Sequence, residues 1–367
     1  MNPYQTLELL LRPPGKGVWA ASTGRKMADT LLKEIYHTSN EKKVSKIWKK
    51  SLKTISKSKV ILIGAPSDTG AGVVRGSNMG PLNLRTFLYQ NKKFKHWIKD
   101  STVLDIGDIF VIPQLLEDAL LRDRQIEKCR SFITSGKKSV HLPVSPLSIL
   151  RETIRVIFSI HPKARIMLLG GDHSLTWPVV ETYAKQHKHS FAILHIDAHT
   201  DLLKSRLGID HCFGTWAYHA NNLIGRKKRL VQVGIRASRK NKSYWEKTLG
   251  VKQFWAKEVQ QKPVETFGKI LNHLKSLGLS NIYISNDIDG TSMEYAAATG
   301  TPEPHGLHPF FVSHLIRGIS KHWNIIGSDL VEVAPVLHLD KSGEPQKTLK
   351  VGCQYTLDMI EGMLSRL

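Results

Sequence analysis

Cysteine is scarce. Three occur in 367 residues, Cys129, Cys212 and Cys353, scattered and without CxxC spacing. That excludes a disulfide framework and predicts a reducing compartment, the cytoplasm. Long apolar runs are missing too. None reaches the ~18 residues that a membrane span needs. Met1 to Pro13 has no basic stretch ahead of its short apolar patch and no cleavage site, so no secretory signal is expected. Acid is the third shortage: 31 Asp and Glu against 53 Lys and Arg leave a formal net charge of +22. From Lys42 to Pro66 there is no acid at all. Such a surface can attract nucleic acid, anionic membrane or acidic partners. No motif that reads RNA or DNA accompanies the charge, so nucleic-acid binding is not expected, and a basic bias of the host is the simpler account.

With 41% hydrophobic residues the chain can bury a full core, and its length suits one large α/β domain. Residues 1–57 read as an appended basic arm rather than core. Within it Val44, Ile47, Trp48, Leu52 and Ile55 recur at helical spacing opposite a lysine-rich face, a stripe that would pack on the body or on a neighbouring subunit. From Val60 short apolar runs alternate with amphipathic stretches. Val60–Gly64, Val103–Ile106, Ile166–Leu169, Phe191–Ile196, Leu230–Ile235, Val251–Trp255, Asn281–Ser285 and Ile325–Val331 read as buried parallel strands. Pro146–Ile160, Pro178–Gln186 and Pro263–Leu277 read as helices with proline in the first turn. The pattern predicts an α/β fold with helices on both sheet faces, and 58–367 as the catalytic domain.

Three polar clusters follow apolar runs: Gly170-Gly171-Asp172-His173-Ser174, His195-Ile196-Asp197-Ala198-His199-Thr200-Asp201 and Asp287-Ile288-Asp289. On extended backbone Asp197, His199 and Asp201 would point the same way. Ligands of open α/β sheets bind outside the carboxyl ends of strands. Side by side, the three ends would pool His173, Asp197, His199, Asp201, Asp287 and Asp289. Four carboxylates and two imidazoles are too many for one ion, and crowded buried carboxylates need a cation. They suit two divalent ions, Mn²⁺ first, with Ni²⁺, Co²⁺ or Fe²⁺ as alternatives. His195 reads as a supporting residue rather than a ligand.

These three motifs, in this order, resemble the ureohydrolases, the family of arginase and agmatinase. Gly64-Ala65-Pro66 with Gly80-Pro81 and Arg85, Thr299 to Pro304, and Glu332-Val333-Ala334-Pro335 resemble further family segments. The resemblance runs from about Val60 to the C-terminus. It implies a three-layer α/β/α fold around an eight-stranded parallel sheet, and assembly as a trimer or hexamer. It implies one ion held by His173 and Asp201, a second by His199 and Asp289, and Asp197 and Asp287 bridging both. A shared water of lowered pKa would attack a guanidinium carbon and release urea and an amine. Asp201 would aim that water, Glu332 would hold the planar cation, His211 would shuttle a proton and bind substrate, and Thr301 would line the substrate side.

Departures bear on the substrate. Ala237 follows Gly234-Ile235-Arg236 where arginases place an Asp, which disfavours arginine. Ser292-Met293 replace a usual Asp-Pro, His305 stands where the family often has glycine, and the loop at His211 is longer. The expected activity is agmatinase-like cleavage of a small linear guanidino compound. Formimidoylglutamase or arginase activity, or an inactive binding protein on the same fold, are the alternatives.

Overall fold

All eight apolar runs become strands, and a ninth joins them. The computed structural model describes residues 1–19, 24–134, 136, 141–337 and 343–366. Its strands are β1 (Leu11–Arg12), β2 (Val60–Gly64), β3 (Val103–Ile109), β4 (Arg165–Leu169), β5 (Ala192–Ile196), β6 (Leu230–Ile235), β7 (Lys252–Trp255), β8 (Asn281–Asp287) and β9 (Asn324–Val331). They lie in the order β1-β3-β2-β4-β9-β8-β5-β6-β7. β2 to β9 are parallel; β1 runs antiparallel at the edge, pairing Leu11 with Ile109.

Both faces of the sheet are apolar because each is covered. Helices Pro146–Ile160 and Thr176–Gln186 bury Leu147, Ile154, Val179 and Tyr183 on one face. Helices Pro263–Ser276, Pro309–Ser320 and Gln346–Leu364 bury Ile270, Leu315 and Met359 on the other. The result is a three-layer α/β/α fold. The proline-led helices start within two residues of their expected places. Among the described residues no helix is long and apolar enough to cross a membrane.

The described part of residues 1–57 packs on the body, one of the two places expected for its helical stripe, and does so as core. Leu7, Leu10, Leu11, Trp48, Leu52 and Ile55 belong to one apolar core, and the Trp48 indole donates to Ile106 O at 2.9 Å. Of the expected stripe only Ile47 is exposed, at 45%; Val44 is buried outside that cluster. β1 approaches β3 at Gly107, which has φ +89° and where a Cβ would collide with Arg12 O. Beside it Arg85 is fully buried between Asp105, at 2.8 Å, and Asp108, at 2.5 Å.

Candidate metal centre

Because β4, β9, β8 and β5 are neighbours and parallel, their carboxyl ends share one edge. The chain after β4 supplies His173, that after β5 supplies Asp197, His199 and Asp201, β8 ends in Asp287 and leads to Asp289, and Glu332 follows β9. Gly171 allows the first of these turns, since a Cβ there would collide with Ser67 O.

All six expected ligand residues converge, in two subsets. His173 Nδ1 lies 3.3 Å from Asp197 Oδ2, 3.2 Å from Asp201 Oδ2 and 3.1 Å from Asp287 Oδ2. His199 Nδ1 lies 3.1 Å from Asp289 Oδ2 and 3.5 Å from Asp197 Oδ1. Asp197 belongs to both. Backbone N–H groups anchor the other carboxylate oxygens: His199 N donates to Asp197 Oδ1, Ala198 N to Asp289 Oδ1 and Asp289 N to Asp287 Oδ1. For Asp287 and Asp289 the second oxygen is thereby turned inward.

The segment does not use extended backbone, as the alternation of Asp197, His199 and Asp201 had predicted. β5 stops at Ile196, the chain bends, and Asp201 adopts φ +50°. Asp197 and Asp201 therefore meet at His173, while His199 turns to the second subset.

The donor set fits a cation. Tyr283 and Ser285 both donate to Asp329, at 2.7 and 2.8 Å, so the Ser285 hydroxyl accepts from His173 Nε2–H at 2.9 Å. The lone pair of His173 then sits on Nδ1, which is buried, makes no hydrogen bond and faces three carboxylate oxygens. Electron-rich atoms converging this way repel unless a positive ion lies among them. His195 also falls in the first group, with Nε2 2.6 Å from Asp197 Oδ2.

Glu332 sits beside the centre with φ +61°, accepting from His173 N at 2.9 Å. Burial, and then the nearby Asp172 charge, push its carboxyl well above the ordinary carboxylate range. Burial likewise pushes Asp172 up to about 6. Among the described residues no lysine or arginine pairs with either, so the pair is short of a cation. The Thr301 hydroxyl donates to Asp289 Oδ2 at 2.8 Å. His211 stacks on Trp177 with ring centroids 5.0 Å apart, and its Nδ1 lies 2.7 Å from Glu117 Oε2. Arg151 holds Glu117 in turn at 3.0 Å.

The departing residues shape the loop around the centre. Arg236 donates to the carbonyls of Asp289, Glu303 and Pro304. Ser292 Oγ accepts from Gly306 N and donates to Glu294, and Met293 N donates to Glu303 O. His305 has φ +55°, the backbone region that a glycine would favour. Sequence reasoning missed Glu117, Gln232, Gln253 and Ser285. The two glutamines carried a signal: an amide inside an apolar strand run needs a hydrogen-bond partner.

The family profile described as "Arginase family" matches residues 58–361. The mitochondrial agmatinase of Gallus gallus is 30% identical over 311 residues, 81% of this chain and 79% of its own. The mitochondrial guanidino acid hydrolase of Homo sapiens is 31% identical over 290 residues, 74% of this chain and 70% of its own. The solved structure of proclavaminate amidino hydrolase from Streptomyces clavuligerus shares the fold, with a TM-score of 0.66 at 22% identity, over 84% of this chain and 92% of that one. With a match over most of its length and a His/Asp cluster able to hold metal, the chain is a ureohydrolase, a hydrolase of amidino C–N bonds, and it belongs to the arginase family.

Proposed function

We propose that the protein is a two-metal, manganese-dependent hydrolase of a small linear guanidino compound, agmatinase-like, releasing urea and an amine. The observation that carries this is His173 Nδ1, buried without a hydrogen bond and ringed by three carboxylate oxygens. His173 and Asp201 would hold one ion, His199 and Asp289 the other, with Asp197 and Asp287 between them. Oxygen-rich donors of this kind suit Mn²⁺, with Ni²⁺, Co²⁺ or Fe²⁺ as alternatives. Such ions, when bound, supply Lewis acidity and lower the pKa of a water.

The chain's own residues do the rest. Asp201 accepts a hydrogen bond from the attacking water and aims it, its Oδ2 steadied by the Trp216 indole at 3.0 Å. Glu332 takes the guanidinium; a planar cation answers its shortage of positive charge. His211, with Nδ1 engaged by Glu117, keeps Nε2 to bind substrate and pass a proton to the leaving amine. Thr301 braces Asp289 and lines the substrate side. Ala237, where arginases carry an Asp, leaves the far end of the substrate without an acid from that position.

The test is urea release by Mn²⁺-loaded protein from agmatine, arginine, guanidinobutyrate, guanidinopropionate and guanidine, with formiminoglutamate read as formamide. Agmatine as the best substrate supports the reading. Another winner corrects the substrate, and silence with no metal bound favours a binding protein. We also propose a catalytic domain of 58–367, a trimer or hexamer, and the cytoplasm. Sedimentation tests the assembly. The cytoplasm is favoured by free Cys129, Cys212 and Cys353; imaging the tagged chain tests it against the mitochondrion named for the chicken and human relatives.

A further inference from the structure

Three buried side chains on β5, β6 and β7 lie in register: His195 opposite Gln232, and Gln232 opposite Gln253. All three have no exposed surface. Polar side chains in a core strand are costly unless each is satisfied, and these are linked end to end. Trp255 Nε1 lies 2.9 Å from Gln253 Oε1, Gln253 Nε2 lies 2.8 Å from Gln232 Oε1, and Gln232 Nε2 lies 2.9 Å from His195 Nδ1. His195 Nε2 then meets Asp197 Oδ2 at 2.6 Å.

The direction of the links is set at two places, by the Trp255 indole and by the Thr200 carbonyl. An indole N–H can only donate. Gln253 must therefore offer it the carbonyl oxygen, which leaves its NH₂ to donate to Gln232. Gln232 accepts through Oε1, and its NH₂ donates both to Thr200 O, at 2.7 Å, and to His195 Nδ1. An accepting Nδ1 puts the proton of the neutral ring on Nε2, and that N–H donates to Asp197. Neither nitrogen of His195 is then free to ligate an ion. The carboxylate is gripped at both oxygens, since Oδ1 already accepts from His199 N.

We propose that Trp255, Gln253, Gln232 and His195 are positioning residues that act as a directional hydrogen-bond relay, fixing the tautomer of His195 and through it the orientation and donor strength of Asp197. The proposal rests on the reading of Asp197 as a metal ligand. It gives the reason His195 stays outside the ligand set and makes an edge-strand tryptophan part of the support of the metal centre. Supporting partners of this kind change metal affinity by roughly 10–100-fold when removed.

The variant that separates direction from packing is Gln253→Glu, nearly equal in volume but able only to accept when ionised. Gln232 must then give up Thr200 O, whose pull is weaker than a carboxylate's, and turn its NH₂ toward residue 253 and its oxygen toward His195, so the ring proton moves to Nδ1 and a lone pair faces Asp197. Selective ¹⁵N-histidine spectra of the full chain, with the His195 signals identified by their loss in His195→Gln, read this directly. Mn²⁺ titration reads the consequence. The expected result is Nε2–H in the wild type, Nδ1–H in Gln253→Glu, and Mn²⁺ affinity lowered by roughly 10–100-fold. Gln232→Met, close in volume, serves if the buried glutamate prevents folding. It removes the donor to His195 Nδ1, and it should give a mixture of tautomers and a several-fold weaker Mn²⁺ site. An Nδ1–H wild type, or two variants that bind Mn²⁺ as the wild type does, would overturn the relay. A wild type that takes up no Mn²⁺ would instead overturn the reading of the centre, and the tautomer would still decide the relay.

Discussion

His173 is buried on every side, one nitrogen tied to Ser285 and the other pointing at three carboxylates. Replacing it with alanine should cost the centre a ligand and end hydrolysis, read as metal content per chain beside urea release. Full activity in His173→Ala would end the two-ion reading. Glu332→Gln keeps the shape but loses the charge. It should keep its metal and lose about 2–5 kcal/mol of transition-state binding, the cost of stripping one partner from a buried charged pair. That is roughly 30- to 5,000-fold in kcat/KM. Glu117 offers a test by pH. Burial pushes its carboxyl up, but the hydrogen bonds and charges of His211 and Arg151 more than offset this and hold it below its ordinary value of 4.5. A depressed folded value contributes stability above the ordinary one and loses it as pH falls through the depressed one. Urea midpoints of metal-free wild type and Glu117→Gln should therefore differ at neutral pH and converge as pH falls below the ordinary 4.5 and through the depressed value.

At the scale of elements, the segment before β2 is the surprise. Its helix Glu41–Leu52 carries lysines outward, yet Val44, Trp48 and Leu52 are buried, and Trp48 donates to β3. Trp48→Ala should cost about 3–5 kcal/mol, the usual penalty for truncating a buried aromatic. An unchanged denaturant midpoint would mean that these residues are a dispensable arm after all. The stripe was legible because helical periodicity is local. β1 was not, because two residues have no period, and its place depends on Gly107, nearly a hundred residues away, letting Arg12 approach.

For the whole molecule, the ions and the fold should be coupled. Four strand ends converge, and without a cation their carboxylates repel. A ligand that binds only the folded chain stabilises it by about 2.7 kcal/mol at a concentration of 100 times Kd. Chelation should therefore lower the melting temperature by several degrees and added Mn²⁺ restore it. An identical melting curve with and without chelator would mean that the cluster holds no ion.

The ligand types, the parallel strands and the helices over them could be read from the sequence alone. Each is encoded by neighbours within a few residues: an apolar run, a proline in a first turn, polar residues where a run ends. The division of the six ligands came from the family resemblance and not from any local pattern, because it depends on a bend at Ala198 and His199 and a left-handed Asp201 where alternation had suggested a straight strand. Nor was the support behind them encoded locally. Ser285 and Asp329 lie on adjacent strands 44 residues apart, Gln232 and Gln253 on adjacent strands 21 apart, and Glu117 reaches His211 across 94 residues. Such partners are chosen by strand order and register, which follow from how apolar faces pack over the whole chain and which no local pattern records.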